Sequence, residues 1–175
     1  YNGWFTVRYG VGETLFKMDD QLVPQPWLAE KIEQTSQLEW KITLRNDVTF
    51  QNGEKMTGAK VEASLKRLLE KSKRAAADLG IESIHSEGQT VTIKTKSEQP
   101  IMKNLLAEPY SVIVDVDGKS ASDKAPVGTG PFLIKTYTPE TGATLEAYSN
   151  YWGGKAKVAQ VKIKYFSDPT AISAA

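Results

Sequence analysis

Val127-Gly128-Thr129-Gly130-Pro131-Phe132 follows a polar loop and opens a run that reads as a strand, Phe132 to Tyr137. Two glycines bracket a threonine, and Pro131 fixes the next backbone angle. Glycine tolerates close backbone approach and positive φ, whereas proline has no N–H and a locked φ. Such a segment suits a phosphate cradle, a ligand wall or a plain turn. The cradle fails twice: no Gly-Lys-Ser/Thr ending is present, and a strand rather than a helix N-terminus follows. A dinucleotide site also fails, because it needs strand, glycines and then helix. The surviving reading is a crossing between two folding units. Gly128 and Gly130 allow the tight path and Pro131 sets the start of the strand, with backbone contact to a ligand secondary to that role.

Downstream, Leu145 and Ala147 alternate with Glu146 and Tyr148, and Val161, Ile163 and Tyr165 alternate with Lys162 and Lys164. Period two predicts strands, with Thr141-Gly142 as the first hairpin turn. Asn150-Tyr151-Trp152-Gly153-Gly154 reads as an aromatic turn. Asp168-Pro169-Thr170 reads as a helix start, Asp at the N-cap and Pro at the first helical position.

Upstream, Leu38, Trp40, Ile42 and Leu44 alternate with Glu39, Lys41, Thr43 and Arg45, the pattern of a half-buried antiparallel strand. Val48-Thr49-Phe50 continues it after Asn46-Asp47, and Asn52-Gly53 is a tight-turn signal. Thr57 caps a helix whose Val61, Leu65, Leu68 and Leu69 share one face. Its other face carries Lys60, Glu62, Lys66, Arg67, Glu70 and Lys71, with Lys73 and Arg74 beyond. This is a solvated face: Glu62 and Lys66 pair at i,i+4, and no aromatics interleave to stack bases. Ile81 and Ile84, then Val91 and Ile93, form a hairpin around Glu87-Gly88, leaving His85 on its surface. A short helix runs from Ile101 to Leu106, Tyr110 to Val114 is extended, and Asp115 to Ala125 is a polar loop. At the N-terminal side, a short helix precedes Gly10. Glu13 to Lys17 ends a helix or forms a short strand, Asp19-Asp20 turns, and Leu22 to Pro26 is extended by its prolines. Trp27 to Glu30 reads as a helical turn or packed loop. Trp4, Phe5 and Tyr9 are either core or pocket wall.

The expected class is therefore mixed α/β. Residues 36–123 form an inserted α+β subdomain, and residues 1–35 and 124–175 are parts of a first lobe that sandwich it. Lys and Arg total 22 against 21 Asp and Glu, so no global field recruits nucleic acid or anionic lipid. Cysteine is absent and His85 is the sole histidine, which excludes disulfides, thiolate metal sites and a multi-His centre. No apolar run reaches the roughly 18 residues of a membrane span. The chain starts at Tyr1 without Met or a leader pattern and stops within what reads as an opening helix, so a piece of a longer protein is expected. No Gly-x-Ser-x-Gly is present, and neither Asp19-Asp20 nor Asp115-x-Asp117 continues into a calcium loop. No cofactor and no metal ligand set is expected. Carboxylate acid/base chemistry stays open, with nothing pointing to it.

Five segments in order resemble the extracytoplasmic solute-binding proteins of the peptide/nickel class, the receptors of ABC importers. They are Gly12-Glu13-Thr14-Leu15-Phe16 with Leu22 to Glu30; Trp40 to Gly53; Val127 to Phe132; Asn150-Tyr151-Trp152-Gly153; and Asp168-Pro169-Thr170. The resemblance covers nearly the whole chain. It implies a periplasmic-binding-protein-like fold of two lobes closing on a ligand, with the second lobe absent from this chain. It implies a monomer that captures peptides or nickel and other metal chelates outside the cytoplasmic membrane. Such a receptor sits in the periplasm or is held at the cell surface as a lipoprotein, and delivers its solute to permease subunits. It implies a ligand cleft near Trp4 and Phe5, approached from the inserted side by Tyr110, Ser111 and Val112, with Arg8 placed to take a ligand carboxylate. Nickel-type members hold a chelate with an Arg and packing Trp residues. Near Pro109, where that Arg is expected, this chain has Tyr110-Ser111, and before Leu79, where one Trp is expected, it has Ala75-Ala76-Ala77. These departures weigh against a nickel chelate. Two other classes stay open: a hydrolase using Asp115 or Asp117 as acid, and an adhesin or chaperone-like surface protein on the same fold.

Overall fold

The structure, a computed structural model, describes residues 3–117 and 126–166. The expected helix start at Asp168-Pro169-Thr170 and most of the loop ending at Ala125 lie outside the described residues. Helix α1 (Gly3–Arg8) leads through a turn into a small hairpin of β1 (Phe16–Met18) and β2 (Pro24–Pro26). Asp19 closes that hairpin by accepting the Gln21 and Val23 amides, each at 2.9 Å, on one carboxylate oxygen.

Next come β3 (Ala29–Ser36) and β4 (Glu39–Leu44), an antiparallel hairpin. β4 follows the expected alternation, with Trp40, Ile42 and Leu44 buried. β3 replaces the turn or loop expected around Trp27 to Glu30. It is a sheet edge whose residues after Ala29 are almost all exposed, so it carries no apolar period to read. Helix α2 (Gly58–Lys71) starts at Thr57, whose hydroxyl accepts the Lys60 amide, and buries Val61, Leu65 and Leu68. A second helix, α3 (Lys73–Leu79), follows at once. Ser72 caps it and Gly80, at φ 57°, ends it in a left-handed residue. β5 (Ile81–Glu87) and β6 (Thr90–Thr95) form the expected hairpin, and the four strands order as β3-β4-β6-β5.

α4 (Met102–Leu105) and a 3-10 turn (Pro109–Ser111) come next. The segment expected to be extended, Tyr110 to Val114, begins inside that turn, and what pairing follows is two isolated bridges, Glu13 with Ile113 and Asp115 with Val127. Pro109 sets the turn and delays the extended backbone to Val112. β7 (Phe132–Thr138), β8 (Gly142–Ala147) and β9 (Gln160–Lys164) form a separate antiparallel sheet.

The main core joins the two helices and the four-stranded sheet to Leu15, Phe16 and Leu28 from the N-terminal segment. The boundary expected between residues 35 and 36 thus falls inside β3, just before the β3–β4 turn.

Candidate functional site

The crossing at Val127 to Phe132 is a three-strand knot of irregular backbone. Gly130 donates its amide to Val11 O at 3.0 Å, and Phe132 to Gly10 O at 3.0 Å. On the other side, Ile113 donates to Glu13 O and Asp115 to Val127 O, both at 2.9 Å. The glycines act through close approach: a Cβ on Gly128 would lie 2.0 Å from Val11 O, and one on Gly130 2.3 Å from Gly10 O.

Two side chains that the sequence did not single out lock this knot. Gln51 donates to Val11 O, Gly130 O and Phe132 O at 2.9, 3.0 and 2.7 Å. Its backbone amide donates to Gly128 O at 2.9 Å, and its side-chain oxygen Oε1 accepts the Gly128 amide at 3.3 Å. Glu13 is 1% exposed. Its carboxylate accepts the Thr129 hydroxyl at 2.8 Å, the Trp152 indole N–H at 2.8 Å and the Tyr151 hydroxyl at 2.5 Å. Burial pushes this carboxyl above its usual range, against the downward pull of those three hydrogen bonds and of Lys17. Burial, and then Glu13 itself, push the Tyr151 hydroxyl up in turn. One signal marked Glu13 in the sequence: it is a lone acid flanked by Val11, Gly12, Thr14, Leu15 and Phe16, all of them buried.

Above Glu13 lies a cleft of about 330 Å³. Val7, Arg8, Tyr9, Trp27, Phe132 and Tyr151 are among the residues that line it. Tyr9, one of its lining residues, joins its hydroxyl to that of Tyr165 at 3.0 Å.

α1 carries three of the six expected site residues. Trp4 is 44% exposed and Phe5 50% exposed. Helical spacing stacks Arg8 over the Trp4 ring at 5.7 Å and pairs Phe5 with Tyr9 at a ring separation of 5.6 Å. The helix rests on the 3-10 turn: a Cβ on Gly3 would meet Pro109 O at 2.4 Å. This contact brings the two expected segments together. Their side chains take different directions, however. Tyr110 packs against the main core with Arg74 5.8 Å above its ring, and burial and the charge of Asp78 push its hydroxyl up to about 12. Ser111 is buried and donates to Leu105 O at 2.9 Å. Val112 is buried against the Gly12 backbone. Trp4, Phe5 and Arg8 thus form the exposed side of this junction, and Tyr110, Ser111 and Val112 its packed side.

Of the two acids named for a hydrolase, Asp117 is exposed and Asp115 is closed off. Asp115 is 2% exposed, ion-paired with Lys60 at 2.8 Å and hydrogen-bonded by Asn52 at 2.7 Å. Burial raises this carboxyl, but hydrogen bonds from Lys60 and Asn52 and the Lys60 charge outweigh it, so the net direction is down. Both oxygens are occupied in the native fold. Among the described residues, no three His, Asp or Glu side chains gather into a metal-holding group. No helix among them is long and apolar enough to cross a membrane.

Comparison with known proteins shows the family and the fold. The model of the family described as bacterial extracellular solute-binding proteins, family 5 Middle, matches residues 23–175. The nickel-binding protein NikA of Staphylococcus aureus is 38% identical over 162 residues, which are 93% of this chain and 33% of that protein. A crystal structure of S. aureus NikA in complex with Ni(L-His)2 superposes with a TM-score of 0.90 at 36% identity, covering 94% of this chain and 36% of the other. A nickel ABC transporter structure from Bacillus halodurans gives a TM-score of 0.92 at 38% identity, covering 98% and 36%. A putative ABC transporter peptide-binding protein of Brucella ovis is 31% identical over 96 residues, half of this chain and 18% of that protein. The chain therefore spans about a third of the length of the nickel-binding relatives it matches. The chain carries Tyr110-Ser111 and Ala75-Ala76-Ala77 at the two departures and is 38% identical over 162 residues to a nickel-binding protein.

Proposed function

The chain belongs to the bacterial extracellular solute-binding proteins of family 5, and on that footing we propose that it is part of a receptor for an ABC importer. The receptor captures a metal chelate, nickel with a small amino-acid ligand, outside the cytoplasmic membrane and hands it to permease subunits. It works as a monomer, in the periplasm or tethered at the cell surface, and it binds without catalysis. The observation that carries this reading is the likeness to a nickel-binding protein along 93% of the chain. The exposed part of α1 fits it: an aromatic pair for a flat chelate, and the Arg8 guanidinium for its carboxylates. Trp4, Phe5 and Arg8 are the proposed contacts, and Tyr110, Ser111 and Val112 support them from behind.

For the domain plan, residues up to Leu28 and from 126 onward belong to the first lobe, and β3 through the 3-10 turn form the smaller subdomain. A second lobe in the longer receptor closes over α1 and supplies the rest of the burial. Isothermal calorimetry on that receptor decides the matter. Heat with nickel plus L-histidine is the expected result, and silence with both that mixture and a peptide library sinks it. The B. ovis relative favours a peptide as the second reading, which the library arm detects.

A further inference from the structure

Glu13 ties together segments that are far apart in sequence. Its three donors, Thr129, Tyr151 and Trp152, lie 116 to 139 residues away. On its N-terminal side the chain is short and stiff. The Thr6 carbonyl accepts both the Val11 and the Gly12 amides, at 3.0 and 3.2 Å, and the Gly10 amide bonds Val7 O at 2.9 Å. No slack separates α1 from Glu13: whatever holds the carboxylate also sets the end of the helix. The charged and titratable groups around it are Lys17 on β1, Arg8 and Tyr9 in the lining of the cleft, Tyr151 itself, and Arg45, which lies 4.6 Å over the Trp152 ring.

We propose that Glu13 is a positioning residue for the solute-facing helix: its carboxylate, through Thr129, Tyr151 and Trp152, fixes where α1 presents Trp4, Phe5 and Arg8. The proposal rests on the solute-binding reading for its consequence, though not for its geometry. Trp152 donates only, while the Thr129 and Tyr151 hydroxyls donate or accept. A glutamine at position 13 therefore still offers the indole an acceptor and each hydroxyl a partner. An alanine offers none.

The test uses the full receptor, with nickel plus L-histidine as probe and the indole N–H resonances of Trp4, Trp152 and Trp40 as local reporters. Glu13→Ala is expected to shift Trp4 together with Trp152, leave Trp40 on β4 unmoved, and weaken the probe about tenfold. Glu13→Gln is expected to restore the Trp4 position and most of the affinity. In the wild type, Trp4 and Trp152 move together as Glu13 titrates, and in Glu13→Gln that shared movement disappears. A Trp4 resonance unchanged in Glu13→Ala while Trp152 shifts overturns the proposal. If Glu13→Ala does not fold, Thr129→Val removes one donor alone, and Trp4 must then move by a smaller amount in the same direction or the proposal fails. A wild-type receptor deaf to every probe sinks the solute reading, while the coupled shift of Trp4 and Trp152 still decides positioning.

Discussion

Replacing Gly128 by alanine tests the central packing claim. The added methyl carbon would sit 2.0 Å from Val11 O, 2.7 Å from Gly12 Cα and 2.7 Å from Val11 C, all backbone atoms that cannot rotate away. Ordinary carbon contacts need about 3.5 Å, so the two strands must part by roughly 1 Å or more. Parting them stretches the bonds from Gly130 to Val11 O and from Gln51 to Gly128 O, at 3.0 and 2.9 Å. Two such bonds are worth about 2 kcal/mol net, and overpacking adds about 1–3 kcal/mol. The expected loss is about 4 kcal/mol, a fall in melting temperature of about 8–16 °C for a domain of this size. Gly154→Ala is the control. It has open space around it and a φ of 97°, so only backbone strain applies, about 1 kcal/mol. Urea unfolding of both variants beside the parent reads the difference. A Gly128→Ala loss no larger than that of Gly154→Ala would refute close approach as the reason for this glycine.

Three further outcomes follow from the same contacts. Gln51→Ala removes the side chain that bonds Val11, Gly130 and Phe132. The expected destabilisation is about 2–3 kcal/mol by urea titration, and a value under 0.5 kcal/mol contradicts the lock. Asp115→Asn breaks the pair with Lys60, which retains Glu54 at 2.6 Å, so about 2 kcal/mol is expected rather than the full penalty of a buried charge left alone. The Asp115 carboxyl is held below 3.8, so its contribution is present above that pH and is lost as pH falls through the lower folded value. The Asn variant should therefore converge on the parent in acid. Glu13 runs the other way. Its carboxyl is raised above 4.5, so the folded state holds the proton more tightly and stability falls as pH rises through the interval above 4.5. Glu13→Gln should then gain on the parent as pH rises above 4.5, as read by thermal melts; a gap that does not change with pH contradicts the sign.

The sequence was most legible where burial is periodic. α2 and β4 each put one apolar face against the core, and their spacing showed it. β3 and α3 were missed for opposite reasons. β3 is an exposed edge with Ile32 as its only half-buried residue after Ala29. α3 buries only Ala75 and Leu79 and depends on caps at Ser72 and Gly80 that resemble loop residues. The family was legible from five motifs in order, and the fold followed from it. Glu13 and Gln51 stood inside two of those motifs without revealing their roles. Their partners lie between 40 and 139 residues away, and such a pairing leaves no local pattern. The site was half legible for a related reason. Trp4, Phe5 and Arg8 lie on one helix whose spacing shows what stacks on what, whereas the direction of Tyr110 depends on Arg74 and Asp78 from α3.

The reach of the Glu13 bonds also sets an order of assembly. As the chain emerges from the ribosome or a translocation channel, β3 to β6 and α2 find their partners within about sixty residues of one another. The Glu13 carboxylate must wait for Thr129, and then for Tyr151 and Trp152. Closing a loop of that length costs chain entropy before any contact repays it. The four-stranded unit should therefore gain amide protection first, with the N-terminal segment threaded beside it and unlatched. A pulse of hydrogen exchange during refolding should find the Ile113 and Gly130 amides protected later than those of Ile42 and Ile93.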